Sequence, residues 1–152
     1  MRKVLLFLIT TVLILGGVFW FVLKEKTSYQ GKLYTLWVGD AQIKVELAES
    51  QGARGQGLGD RKSLPQDQGM FFIFEKSENH PFWMREMQFP LDIIWLDENY
   101  KVVYIEKNID PATYPKSFGP DVPTQYVLEI NAGWTEKNKI NAGSQAVFSR
   151  PH

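Results

Sequence analysis

Short apolar stretches separated by turn residues follow one another along most of the chain. In residues 41–47, Ile, Val and Leu alternate with Gln, Lys and Glu, which is typical of a strand with one buried face. Gly39-Asp40 precedes this stretch and has the composition of a two-residue hairpin turn. The same reasoning predicts further strands at 34–38, 70–74, 81–84, 91–96, 101–109, 125–130 and 145–148.

Helical patterns are few and short. Residues 49–59 (ESQGARGQGLG) favour a short helix capped by Ser50, although their glycines weaken it, and residues 131–138 favour a second. The segment 108–125 holds four prolines and no periodicity, so it predicts a long loop that serves either as a functional lid or as a cover for a sheet edge. Together these patterns predict a mainly β domain at 34–149 with one or two short helices, built as a compact antiparallel β-sandwich or a partly closed barrel.

The N-terminal 26 residues have a different pattern. Val4–Leu23 is apolar and carries no charge, and at about 1.5 Å rise per residue a helix of this length crosses a bilayer core. We therefore predict a membrane anchor at 1–26 with a transmembrane helix at 4–23, followed by a tether at 27–33. A cleaved signal peptide is the alternative, but its apolar region is usually shorter and ends at a small-residue cleavage site.

The basic residues at the start of the chain predict its orientation. Arg2 and Lys3 precede the apolar run, whereas Lys24 and Lys26 after it are partly offset by Glu25. This bias favours a cytoplasmic N-terminus and an extracytoplasmic domain on a single-pass membrane protein.

Charge and composition exclude several classes of function. Residues 27–152 hold 13 Lys/Arg against 16 Asp/Glu, a net charge of about −3, whereas a nucleic-acid-binding domain is strongly basic. The chain has no cysteine and only two histidines, His80 and His152, with no metal-binding spacing. We therefore predict no nucleic-acid partner, no metal and no cofactor.

The strand at 91–96 contains an acidic residue among apolar ones. Because side chains alternate along a strand, Asp92 shares a face with Ile94 and Leu96, and a buried carboxylate there requires partners. We predict an arginine partner for Asp92, with Arg61, Arg85 and Arg54 as candidates. Either this cluster forms the floor of a pocket, with Arg61 and Arg85 binding an anion, or it is an internal ion pair that holds the 60–69 loop to the sheet.

Two other acidic residues suggest further possibilities. Glu86 and Asp92 could form the carboxylate pair of a hydrolase if both lie in one cleft. Glu129 lies among Val127, Leu128 and Ile130 in a predicted strand; it is either another buried acid or, as we expect, a residue that faces solvent on an exposed sheet face.

Aromatic residues mark a second candidate binding region. Tyr114 and Phe118 lie in the proline-rich loop, where they could cover a pocket mouth opposite Trp83 and Arg85 and stack on a flat ligand such as a sugar. The alternative is that these rings only cap the end of the barrel.

Several short motifs occur in a distinctive order. They are Gly57-Leu58 with Arg61, Leu64-Pro65, Gly69-Met70-Phe71-Phe72, Phe82-Trp83-Met84, Pro90-Leu91-Asp92-Ile93-Ile94, Tyr126-Val127-Leu128-Glu129 and Ala132-Gly133-Trp134. In this order and spacing, the set resembles the bacterial and archaeal family called domain of unknown function 192, from about Leu36 to Phe148. The resemblance implies a compact, mainly β fold, often behind a signal or anchor, and it implies no activity.

The chain departs from the family pattern at one site. The family usually has a basic residue followed by Asn-Thr after the Trp-Met pair, whereas here Arg85 is followed by Glu86 and Met87. If this segment lines a ligand site, the ligand or the protonation behaviour of this chain differs from that of its relatives.

The sequence favours a non-catalytic binding or accessory module of the cell envelope, because it shows no catalytic constellation. The candidate ligand-binding residues are Arg61, Trp83, Arg85, Glu86, Asp92, Tyr114 and Phe118, and the expected partner is a small molecule, a glycan or an envelope protein. The alternatives are a carboxylate-dependent envelope hydrolase and a structural or assembly factor that acts through a protein partner.

Overall fold

The structure, a computed structural model, describes residues 31–150. This part of the chain forms nine β-strands, two short α-helices and one 3₁₀ turn. The predicted anchor at 1–26 and most of the tether at 27–33 lie outside these residues. Within 31–150, none of the helices has the length and apolar character needed to cross a bilayer.

Eight of the nine strands lie where strands were predicted, whereas the remaining strand, Ser117–Phe118, and the 3₁₀ turn lie within 108–125, which was predicted as a loop. The strands are β1 (Tyr34–Val38), β2 (Ala41–Ala48), β3 (Gln68–Glu78), β4 (Phe82–Trp83), β5 (Leu91–Leu96), β6 (Val102–Ile109), β7 (Ser117–Phe118), β8 (Thr124–Asn131) and β9 (Ala146–Ser149). The helices are α1 (Gln51–Gln56) and α2 (Trp134–Lys137), and the 3₁₀ turn is Pro111–Thr113. Ser50 caps α1 as predicted, since its hydroxyl accepts a hydrogen bond from the backbone N–H of Ala53.

Seven of the strands form one sheet in the order β6-β5-β8-β3-β2-β1-β9, and β4 pairs with β7 in a separate ribbon. The sheet curls into a half-barrel, and its two edges approach at one end, where Lys101 before β6 bridges Gln145 before β9. The prediction of a mainly β fold with one or two short helices is confirmed. The antiparallel prediction is wrong for one pair, because β2 and β3 run parallel. A parallel pair requires a long crossover, and residues 49–67, which include α1, supply it.

Both faces of the central strands are buried. On β8, Tyr126 and Leu128 point into one apolar cluster, which β1, β2 and β9 help to enclose. Val127, one position along, points into a second cluster on the opposite face, together with Leu58 after α1 and Phe118 of β7. Glu129 alternates with Leu128 and is buried on this second face. Our expectation that Glu129 faces solvent is therefore wrong, because the segment from α1 to Leu64 and the β4–β7 ribbon cover that face of the sheet.

Asp92 is fully buried, as predicted, but its partners differ from the prediction. Its carboxylate accepts hydrogen bonds from the backbone N–H groups of Asn108, Gly133 and Thr135, at 2.9, 3.2 and 2.9 Å, and from the Thr135 hydroxyl at 2.6 Å. These four bonds use the acceptor positions of both oxygens. The predicted arginine partner is therefore wrong, and Asp92 instead joins the end of β6 and the start of α2 to β5.

We expect Asp92→Asn to lower the free energy of unfolding by about 2–4 kcal/mol. The amide nitrogen can only donate, and it would replace an oxygen that now accepts two hydrogen bonds. A denaturant titration measures this loss. Asp110→Asn is the matched control, because Asp110 accepts one backbone bond as a cap of the 3₁₀ turn and Asn caps equally well. A change below about 0.5 kcal/mol at Asp92 would contradict this structural role.

Candidate functional site

A cavity of about 280 Å³ lies between α1, β3 and β4, on the face of the sheet that holds the second apolar cluster. Leu58, Phe72, Phe74, Phe82 and Met87 form apolar walls, and Glu129 of β8 lies among the lining residues. The cavity therefore has an apolar body with one acidic side chain from the sheet.

The aromatic wall is built around Phe82. The Phe82 ring meets Phe72 edge to face, with centroids 4.8 Å apart, and contacts Phe74 and Trp95 at 6.4 and 6.0 Å. The Trp95 indole N–H donates a 2.8 Å hydrogen bond to the carbonyl of His80, which fixes the chain just before β4. This packing holds the wall in place without a ligand, as in the largely preformed pockets that bind small molecules.

A tight turn after α1 brings backbone close to the acidic side chain. Gly57 ends the helix with φ +54°, a left-handed conformation that glycine adopts without strain. A Cβ atom at this position would lie 3.6 Å from Oε2 of Glu129 and 3.5 Å from Cζ of Phe72. The positive φ therefore favours glycine at this turn, and the next backbone N–H, that of Leu58, interacts with the Glu129 carboxyl and favours its ionised form.

Glu129 is the unusual group of this site. Among buried side-chain oxygens and nitrogens of residues 31–150, Oε2 of Glu129 alone has no hydrogen-bond partner. Burial raises the pKa of Glu129 to about 8, although the Leu58 N–H and the charge of Arg61 favour the ionised form and lower it. Near neutral pH, this carboxyl can therefore either keep or release its proton, depending on what binds beside it.

Arg61 offsets only part of the charge of Glu129, because it forms a pair with another acid. Its Nη1 and Nη2 groups donate to the two carboxylate oxygens of Glu46 on β2, at 2.5 and 2.9 Å. Glu46 is buried as well. If all three groups are charged, the cluster of Arg61, Glu46 and Glu129 carries a net negative charge.

Two arginines lie at the mouth of the cavity. Nη1 of Arg54 donates to the carbonyl of Ile73 at 3.0 Å, and its guanidinium lies 5.2 Å from the Phe74 ring centroid. Nη2 of Arg85 donates to the carbonyl of Gly55 at 3.3 Å. The Arg85 guanidinium lies 6.0 Å from the centroid of Trp83, whose side chain is 48% exposed. Arg85 is exposed and Arg54 is partly exposed, whereas Glu129 is buried, so the two positive charges and the indole of Trp83 lie nearer the solvent than the acid.

The structure brings together only part of the predicted set. Trp83 and Arg85 line the cavity, whereas Glu86, Asp92 and Arg61 do not. Asp92 is saturated by its own hydrogen bonds and Glu86 is exposed, so the two do not form the carboxylate pair of a hydrolase cleft.

The two aromatic residues of the proline-rich loop also lie outside the cavity lining. Phe118 is buried and pairs with Phe82 across the β4–β7 ribbon, and Tyr114 is exposed. Their contact with a ligand stays a prediction.

Glu129 and Arg54 line this cavity together, although neither was predicted from the sequence as part of a ligand site. The signal for Glu129 was an acid inside a strand with apolar neighbours on both sides, which is typical of a strand buried on both faces. The glycines of 52–59 were a second signal, because glycine marks places where backbone approaches another group closely. Within residues 31–150, no group of three or more His, Asp and Glu is arranged to hold a metal ion.

The raised pKa of Glu129 predicts how stability changes with pH. Because the folded chain holds this proton up to about pH 8, whereas an ordinary glutamate releases it near 4.5, the unfolded chain binds fewer protons between these values. The contribution of Glu129 to stability is therefore most favourable below pH 4.5 and falls as the pH rises towards 8.

We expect Glu129→Gln to remove this pH dependence. The variant should gain stability relative to the wild type by up to about 1.4 kcal/mol per pH unit between pH 5 and pH 8. Denaturant titrations at several pH values measure the difference. Glu75→Gln, at an exposed position of β3, should follow the wild-type curve. Parallel curves for Glu129→Gln and the wild type would show that Glu129 is not a buried, protonated acid.

Two solved structures have a fold similar to that of this chain. A protein from Sinorhizobium meliloti 1021, provisionally named a transcription regulator, aligns with a TM-score of 0.74 and 25% identity over 80% of this chain and 97% of its own. A protein of unknown function from Novosphingobium aromaticivorans DSM 12444 aligns with a TM-score of 0.74 and 27% identity, over 80% of this chain and 89% of its own. No curated protein matches the chain.

The family model for domain of unknown function 192, described as "Uncharacterized ACR", matches residues 34–148. This range covers β1 to β8 and nearly all of β9, and it includes every residue that lines the cavity. The chain therefore belongs to the domain of unknown function 192 family.

Proposed function

We propose that this protein is a membrane-anchored, non-catalytic module that binds a small organic ligand in the cavity between α1, β3, β4 and β8. The unpartnered Oε2 of Glu129 is the observation that carries the proposal. A buried polar atom without a hydrogen bond costs about 1–3 kcal/mol, so a ligand that bonds to it recovers free energy that the protein alone does not.

The walls and the mouth of the cavity indicate the general chemistry of the ligand. Phe72, Phe74 and Phe82 suit an apolar or aromatic body more than a glycan, whose hydroxyl groups would lose their hydrogen bonds there. Arg54 and Arg85 at the mouth suit a carboxylate or another anion, which a guanidinium binds through paired N–H groups. The volume of about 280 Å³ is at the small end of the range for ligand pockets.

The lining also favours binding over catalysis. Its polar side chains are Gln51, Arg54, Gln56, Arg85 and Glu129. A hydrolase with two carboxylates needs a second acid beside the first, and a serine or cysteine nucleophile needs a base. Glu129 is the single acidic side chain that lines this cavity in the described part of the chain, which supports a recognition role.

The provisional regulator name of the Sinorhizobium meliloti protein is not extended to this chain. Residues 27–152 carry a net charge of about −3, with 13 Lys/Arg against 16 Asp/Glu. Since binding to nucleic acid depends on neutralising phosphates, this balance supports a partner of another class.

We also propose that Val4–Leu23 anchors the domain in a membrane, with the N-terminus in the cytoplasm and the ligand-binding domain outside. The support is the charge-free apolar run and the basic residues before it. A cavity behind such an anchor would meet ligands of the envelope rather than of the cytoplasm.

The rate at which maleimide labels one introduced cysteine tests ligand binding, because a bound ligand shields the thiol. The natural chain has no cysteine, so the introduced one is the only labelling site. Gln51→Cys places a thiol on the lining of the cavity in the full-length chain. We expect 4-methylbenzoate, an aromatic body with one carboxylate, to slow maleimide labelling of this thiol. Arg54→Gln combined with Arg85→Gln should weaken the protection at least tenfold, because the carboxylate loses its partners.

Lys107→Cys is the control, since Lys107 is exposed on β6 and does not line the cavity, and its labelling should not respond to the ligand. Aromatic sulfonates, simple sugars and cell-wall fragments extend the panel. If no compound protects Gln51→Cys at concentrations that leave Lys107→Cys unaffected, the cavity is not a small-molecule site. Protection by sugars alone would favour a glycan-binding module.

The anchor proposal predicts the accessibility of the domain in cells. Protease added to intact cells, or to spheroplasts where an outer membrane is present, should remove the domain, and the N-terminal segment should stay in the membrane fraction. A chain with Arg2→Glu and Lys3→Glu should insert less efficiently in this orientation. Digestion that requires rupture of the inner membrane, or recovery of the wild-type chain in the soluble fraction, would contradict the orientation or the anchor.

A further inference from the structure

We infer that the ligand is a small zwitterion, whose ammonium group bonds to Glu129 inside the cavity and whose anionic group lies between Arg54 and Arg85 at the mouth. This inference rests on the proposed function and adds the charge at each end of the ligand. It follows from the order of charges in the site, with cations at the opening and an acid inside.

The interior of the cavity offers a hydrogen-bond acceptor to a ligand. Oε2 of Glu129 has no partner within the described residues, and the Leu58 N–H already binds the same carboxyl. Arg61 favours the ionised form of Glu129, but its guanidinium also donates two hydrogen bonds to the Glu46 carboxylate and is therefore shared between two acids. An ammonium group supplies both a donor and a positive charge, and an alcohol supplies only the donor.

The aromatic walls suit the same end of the ligand. Phe72, Phe74 and Phe82 line the cavity together with Glu129. Both Phe72 and Glu129 lie beside Gly57, since a Cβ at that position would be 3.5 Å from Cζ of Phe72 and 3.6 Å from Oε2 of Glu129. Ring faces attract cations, most strongly where water is excluded. A ligand with only an ammonium group would be repelled by the two arginines at the mouth. A ligand that also carries an anionic group would bind to the arginines through that group and to Glu129 through its ammonium.

Binding of this ligand is coupled to a proton, because the ammonium group requires the ionised carboxylate. The charged groups near Glu129 come from the chain that covers this face and from β2, whereas the two neighbouring strands contribute apolar residues. Arg61 follows α1 and Glu46 lies on β2, Arg54 and Arg85 lie at the mouth, and the residues paired with Glu129 on β3 and β5 are the apolar Met70 and Ile93. Burial raises the pKa of Glu129 to about 8, so the empty site holds a proton at pH 7 that a cation displaces.

The test compares three matched compounds on the full-length chain by calorimetry and by protection of Gln51→Cys. They are 4-(aminomethyl)benzoate, which has both charges, 4-methylbenzoate, which lacks the ammonium, and 4-methylbenzylamine, which lacks the carboxylate. We expect the zwitterion to bind at least tenfold more tightly than either analogue at pH 8. Because ω-amino acids from glycine to 6-aminohexanoate vary the distance between the charges, they define the length that the site prefers.

Proton release is the second measurement, and it needs no variant. In buffers of different ionisation enthalpy, the zwitterion should release close to one proton at pH 7, and its affinity should rise by about tenfold per pH unit from pH 6 towards 8. In Glu129→Gln, the affinities of the zwitterion and of 4-methylbenzoate should become similar, and the release of the proton should disappear.

The outcomes separate this inference from the proposed function. If 4-methylbenzoate binds as tightly as the zwitterion, or if affinity falls as the pH rises, the cavity binds an anion or a neutral acceptor through the protonated acid, and the zwitterion inference is wrong. If none of the three compounds, nor any of the ω-amino acids, protects Gln51→Cys, the zwitterion inference is wrong, and the proposed function fails with it only if no compound of the wider panel protects this thiol.

Discussion

The fold depends on covering the second face of the sheet. Strand β8 is an interior strand, the third of seven in the sheet, and is apolar on one face at Tyr126 and Leu128 and on the other at Val127. Curling of the sheet encloses the first face, but the second must be covered by chain that crosses it. The segment from α1 to Leu64 and the β4–β7 ribbon do this, and the cavity lies where their packing leaves space above Glu129.

The parallel pairing of β2 and β3 explains why the site has this composition. A parallel pair needs a crossover over one face of the sheet, so residues 49–67 must pass close above β3 and β8. Glycine at position 57 lets the backbone approach Glu129, and Leu58 then places one N–H on the carboxyl and one apolar side chain in the core. The connection that makes the topology possible therefore also builds one wall of the cavity and provides Arg54 at its mouth.

Most of the strands could be predicted from the sequence because their alternation is local. The bounds of β1 and β5 agree with the predicted 34–38 and 91–96, and Ser50 caps α1 as its spacing to the helix indicated. The parallel pair could not be predicted, because pairing depends on contacts between distant segments. Asp92 shows the same limit: its burial followed from its position in LDIIWL, but its partners come from backbone N–H groups up to 43 residues away, which no pattern of side chains reveals.

Glu129 and Glu86 show how similar residues acquire different roles from their surroundings. Glu129 is enclosed, so the cost of ionisation makes its protonation sensitive to what occupies the cavity. Glu86 is exposed, has φ +61° and lies 3.9 Å from Nε of Arg85, where it offsets part of the positive charge at the mouth. The resemblance to the family implies Asn-Thr in place of Glu86-Met87, and asparagine adopts positive φ more readily than glutamate. A relative with that pair would keep Arg85 without a neighbouring carboxylate, so the mouth of its cavity would carry more positive charge than the mouth of this one.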